Sequence, residues 1–270
     1  MILIGYIASL IIGISLGLIG GGGSILTVPV LVYLMGVDPV MATAYSLFIV
    51  GATSLAGVLP KYKQGLVNLK TALIFGTPAI LAVFLTRKFI VPAIPDELFS
   101  LGDFVFTKAI LLMVLFAVLM VFASVSMIRG KKEEEVIITK QIFNYPLIFI
   151  EGIVVGILTG LVGAGGGFLI IPALVILSKL PMKQAVGTSL LIIAAKSLIG
   201  FTGDLGNFVI NWNLMLTVTG LAIVGVVIGN WMSKKIDGTK LKIGFGWFVL
   251  IMGIYILIKE LFFQTSSASH

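Results

Sequence analysis

The chain has 270 residues, 59% of them hydrophobic and 11% charged, with a net charge of +7 and a mean hydropathy of +1.20. A soluble domain carries about 25% charged residues, so a chain this apolar cannot keep its surface in water, and a soluble fold is excluded. There is no cysteine, which removes disulfides, thiolate nucleophiles and Cys-ligated metal sites. The excess of Lys and Arg lies between apolar runs, so it bears on orientation in a bilayer, and no nucleic-acid partner is expected.

Ten apolar segments follow in order. In the first half they cover roughly 1–19, 24–35, 40–59, 69–86 and 104–128; in the second, 143–162, 167–178, 184–202, 212–232 and 241–263. No basic region precedes the first, which reads as a retained helix and not a cleaved signal. A membrane-spanning helix needs about 20 residues, and a run of 10–14 reads as re-entrant or interfacial. Segment two of each half is of that short kind, follows a glycine cluster and contains a proline, Pro29 or Pro172. Segments one and two of each half are therefore predicted to form a hairpin of broken helices with the glycines at its turn. Residues 87–103, RKFIVPAIPDELFSLGD, read as a polar linker. The organisation expected is one membrane domain: repeat 1 over 1–128, a cytoplasmic linker over 129–142, repeat 2 over 143–263, and a polar tail over 264–270 ending in the sole histidine, His270.

The halves share text. GLIGGGGSILTVPVL, residues 17–31, returns as GLVGAGGGFLIIPAL, residues 160–174, at an offset of 160 − 17 = 143. Over 17–57 against 160–200 no gap is needed, and 18 of the 41 pairs are identical. A repeat of this length makes the chain two copies of one unit. Lys and Arg bias loops towards the cytoplasm. Lys61, Lys63 and Lys70, then Arg129, Lys131, Lys132 and Lys140, then Lys179 and Lys183, then Lys234, Lys235, Lys240 and Lys242 place four loops inside; 36–39 and 203–211 carry none and fall outside. Residues 87–103, with Arg87 and Lys88, must then also lie outside, against the bias. The loop at 36–39 is thus outside while its mate at 179–183 is inside. The expected fold is an all-α integral membrane protein of two inverted-topology repeats, each a glycine-broken hairpin plus three transmembrane helices, the architecture of many secondary transporters.

The glycine clusters are the first candidate site. Non-helical backbone inside a bilayer survives only where protein or a water-filled cavity surrounds it, and glycine lets a ligand approach the chain closely. A helix starting just after the cluster, at Ser24 or Gly167, directs free N–H groups and partial positive charge at the break, which suits an anion. Gly21, Gly22, Gly23 and Ser24, with Gly165, Gly166 and Gly167, are the residues so placed. Gly13, Gly17, Gly156 and Gly160 have small-xxx-small spacing and read as helix packing. The third segments add polar groups: Ser46 and Ser54 in one, Thr188, Ser189, Lys196 and Ser197 in the other. Each hydroxyl can equally bond its own backbone, but their recurrence beside the hairpin marks them as donors to an oxyanion. Lys196 lies about eight residues, roughly 12 Å, from the nearest loop, where a charge faces the bundle interior or a water cavity; the competing readings are snorkelling and a pair with Asp204. Glu151, in NYPLIFIEGIVVG, is open to three roles: a coupling carboxylate, a partner for Lys196, or an interfacial residue.

Enzyme chemistry has little support. The one G-x-S-x-G, Gly13 to Gly17, lies in a membrane helix, His270 offers no triad, and neither a Walker A lysine nor a complete G-x-G-x-x-G is present. No cofactor or metal is expected.

The paired glycine-proline motifs and the following GTSLLIIAAKSLIGF resemble the TauE/SafE family of sulfite exporters over nearly the whole chain. The resemblance implies a multi-pass plasma-membrane transporter, a secondary carrier of small sulfur-containing anions such as sulfite or organosulfonates. Carried over by motif, Gly20–Ser24 and Gly163–Gly167 are the glycine loops, and Ser46, Ser54, Thr188, Ser189 and Ser197 the polar helix positions. This sequence departs from the family's pattern at Ala44-Tyr45-Ser46, where a threonine ordinarily precedes the serine, and at Lys196, where a small neutral polar residue is expected. The function expected is export of such an anion by alternating access, bound at the helix N-termini beside the two breaks. The alternatives are a carrier or channel for another solute such as a cation, or a non-transporting assembly protein. Lipids and the anion are the partners expected; glycine stripes facing lipid permit a homodimer without requiring one.

Overall fold

A computed structural model describes residues 2–101, 104–129, 145–176, 178–207, 209–233 and 238–262. The linker 130–144 with its lysines, Lys234 and Lys235, and the 263–270 tail lie outside the described residues.

Ten helices lie among the described residues: α1 Ile2–Ile19, α2 Gly21–Leu34, α3 Pro39–Lys63, α4 Leu69–Ala93, α5 Lys108–Ile128, α6 Tyr145–Val162, α7 Gly167–Ile176, α8 Met182–Thr202, α9 Trp212–Met232 and α10 Gly238–Phe262. Six of them are long and apolar enough to cross a membrane, and the chain is a multi-pass integral membrane protein. Local chemistry sets the helix starts. Asp38, Asn68, Thr107 and Asn211 accept from the first-turn amides of α3, α4, α5 and α9 through their side chains, satisfying donors that a helix cannot pair internally.

The textual offset recurs in the backbone. Ile2 and Tyr145, Pro39 and Met182, and Leu69 and Trp212 open equivalent helices, each pair separated by 143. Contacts recur too. α1 packs on α9 as α6 packs on α4, and α3 meets α9 as α8 meets α4; α3 also crosses α8, and α5 crosses α10. The reciprocity reaches single residues. A Cβ at Gly13 would strike Ala222, and one at Gly156 would meet its mate Ala79; Gly17 is set against Val226 as Gly160 is against Val83. These four glycines thus serve the helix packing read from their spacing.

Two expectations are corrected. Residues 87–103 are not a polar linker: α4 runs through a π turn at Thr86–Ile90 to Ala93, and a two-stranded hairpin follows, β1 Glu97–Leu101 paired antiparallel with β2 Phe104–Thr107. Arg87 is therefore no loop cation but lies wholly inside the bundle. The physical reason is that its charge is matched internally, which hydropathy along the sequence cannot register. In the first break the helix does not wait until Ser24. A 3-10 helix begins at Gly21, passes into α-helix at Thr27 and π-helix at Val30, so Gly21–Gly23 are themselves helical. At the far end of α2, Tyr33 donates to the buried Glu260 of α10 at 2.7 Å.

Candidate functional site

The two glycine breaks meet. A Cβ built on Gly21 would lie 2.6 Å from Cα of Gly167, and one on Gly167 would run into the Gly21 backbone. Only glycine at both positions allows the main chains to touch. Gly20 and Gly163, equivalent by the offset, both have left-handed φ, +79° and +70°, a conformation costly for any residue with a side chain. Each abuts the third helix of the opposite half, Gly20 against Val186 and Gly163 against Thr43.

The breaks differ in what their backbones offer. In the second, α7 begins at Gly167 as its sequence suggests, and the amides of Ala164, Gly165, Gly166, Gly167 and Phe168 donate to no acceptor among the described residues. The first acceptor taken up is the Gly166 carbonyl, by Leu169 and Ile170. In the first break, Gly23 already donates to Gly20 and the chain coils directly into the 3-10 helix.

Side chains close around the second break. Lys196, on α8, is 0% exposed, and its Nζ donates to Thr159 Oγ1 of α6 at 2.6 Å. Thr159 in turn donates to the Val155 carbonyl at 2.7 Å, so its oxygen is oriented to receive the ammonium. The Nζ lies 3.1 Å from where a Cβ on Gly166 would stand. No carboxylate among the described residues pairs with Lys196: Asp204 is bound by Arg87, and Glu151 lies eight residues before Thr159 on α6, roughly 12 Å along the helix. Both pairings entertained from the sequence are therefore corrected. An ammonium in a low-dielectric interior without a counter-charge is costly.

The remaining candidates divide. Ser24 stands within 3.1 Å of a Cβ position on Gly165, its hydroxyl donating to the Gly21 carbonyl at 2.7 Å. Ser46 donates across the halves to the Gly163 carbonyl at 2.7 Å. Ser54 and Ser197, equivalent by the offset, are fully buried with hydroxyls that find no partner among the described residues. Thr188 accepts from the Asn68 amide at the start of α4, and Ser189 bonds its own helix at Val186, so neither reaches the second break through its hydroxyl. Gly22 and Gly23 are buried within the 3-10 turn, Gly23 against Ser15 and Leu16. Glu151 is half-buried with Oε2 unpartnered.

Sequence reasoning missed Thr159 and Arg87. Arg87 bonds Asp204 at 2.7 Å, Thr43 at 2.9 Å and the Gly160 carbonyl at 3.2 Å, bracing the helix that leads into the second break. Its only linear signal is a single arginine beside an apolar run, which equally describes a loop.

Comparison with known proteins agrees with a membrane transporter. The family model described as "Sulfite exporter TauE/SafE" matches residues 5–256. A Xylella fastidiosa (strain Temecula1) protein named "Probable membrane transporter protein" is 29% identical over 93% of this chain and 92% of its own. Two Bacillus subtilis proteins named as probable membrane transporters, YunE and YdhB, are 28% and 27% identical, covering 95% and 86% of this chain and 97% and 89% of theirs. No solved structure matches.

Proposed function

The chain belongs to the sulfite exporter TauE/SafE family and is a membrane transporter, and from that premise we propose that it is a secondary carrier of a small sulfur-containing oxyanion, such as sulfite or an organosulfonate, exported across the plasma membrane. The observation that carries the reading is Lys196: a wholly buried amine with, among the described residues, a neutral hydroxyl as its one partner, beside a break whose amides lack acceptors there. Donors and charge of this kind stabilise an oxyanion, as helix N-termini at discontinuous membrane helices do in other carriers. Ser24 and the free hydroxyls of Ser54 and Ser197 supply further donors. Alternating access is supported by the reciprocal contacts of the halves together with the charge bias of their loops, which favours equivalent loops on opposite sides. Each break leans on the third helix of the other half, so movement of one half on the other changes what closes over the anion.

The test is flux of sulfite and short sulfonates in proteoliposomes. Lys196→Ala and Ser24→Ala should each weaken it; unchanged flux in both would remove the site from the second break.

A further inference from the structure

Resting on that anion reading, we infer that the site selects by charge and takes a singly charged anion, with Lys196 as the counter-charge that pairs with it. The bundle holds few charges that could bear on the second break. Arg87 and Asp204 cancel one another at 2.7 Å. Glu151 is two turns away along α6 and half-buried. The other charged side chains on the helices α3 and α4 packed against α8 lie towards helix ends, Lys61 and Lys63 on α3, Lys70 and Lys88 on α4, and the tyrosines of α3, Tyr45 and Tyr62, carry no charge at neutral pH. Among the described residues the ammonium of Lys196 is left as the single uncompensated charge at the break, 0% exposed. The repeat shows that it is not doubled. Its mate is Thr53 (196 − 143 = 53), whose hydroxyl bonds back to Ile49 and Val50, and the mate of Thr159 is Leu16 (159 − 143 = 16).

One cation and one monoanion make a neutral loaded site. A dianion leaves a net negative charge with no cation to meet it, and an unpaired charge in a low-dielectric interior is expensive. Amides and hydroxyls orient either ion, but they carry no net charge to offset the second one.

The experiment compares methanesulfonate, singly charged, with sulfate, doubly charged, by thermal stabilisation of the purified full chain at neutral pH. Methanesulfonate should half-saturate at a concentration on the order of tenfold or more below that of sulfate. Lys196→Met should lose that preference. Sulfate binding as tightly as methanesulfonate overturns the charge rule while leaving an anion site standing, and so does a folded Lys196→Met that keeps the preference. Stabilisation by neither, nor by sulfite, sinks the anion reading and this inference together. Should Lys196→Met fail to fold, the wild-type ratio decides alone.

Discussion

Arg87 Nε donates to Asp204 Oδ2 at 2.7 Å, the two side chains 0% and 1% exposed, and this pair ties the end of α4 in the first half to the turn after α8 in the second. Breaking it from one side should be severe. Arg87→Met leaves a buried carboxylate without its partner, a change that costs about 3–5 kcal/mol. Arg87→Met with Asp204→Leu should recover much of that, because neither charge is then stranded. Thermal midpoints in detergent give the check: the double variant should melt above the single.

Glycine at the crossing of the breaks is set by space. Gly167→Ala must push its Cβ into Gly21, so folded yield should collapse. Gly220→Ala, on α9 with nothing within 4 Å of its Cβ, should be neutral or stabilising by up to about 1 kcal/mol. Size-exclusion profiles of the two variants separate these outcomes.

Ser46 and Ser189 are equivalent in sequence and unequal in use. Ser46→Ala strands the Gly163 carbonyl at the second break, at about 1–3 kcal/mol. Ser189→Ala frees a carbonyl already inside its own helix and should cost less. A melt of Ser189→Ala as low as that of Ser46→Ala would contradict the assignment of these bonds.

Thr159 orients the ammonium. Thr159→Val keeps the shape but removes the oxygen that receives Lys196, and transport should fall about tenfold as the charge is misplaced. Thr159→Ser should restore it. Folding alone would not produce recovery by serine combined with an unchanged melt for valine.

Because the chain has no cysteine, single cysteines can be introduced directly. Labelled at 36–39 and at 179–183 in sealed vesicles, they should react from opposite sides. Reaction from the same side would remove the inverted arrangement.

Much of the architecture was legible in linear order, because a bilayer imposes length and hydropathy on every crossing segment. The duplication was legible because both copies keep the same glycines and proline, and the helix starts at Ile2, Pro39 and Leu69 return 143 residues on. The 87–103 stretch was not legible. Arg87 and two prolines look like a polar link until Asp204, 117 positions away, is known to meet the guanidinium.

The residues by themselves determined that this chain lives in a membrane, that it is built twice, and that each copy is interrupted at its glycines, since all three follow from local composition and spacing. Which amides are left without acceptors, that the interruptions touch at Gly21 and Gly167, and that Lys196 has a threonine and, among the described residues, no carboxylate beside it were decided only by the tertiary structure. Those are relations between segments far apart along the chain, fixed by helix packing, and a sequence pattern records spacing along one segment, not the distance between two.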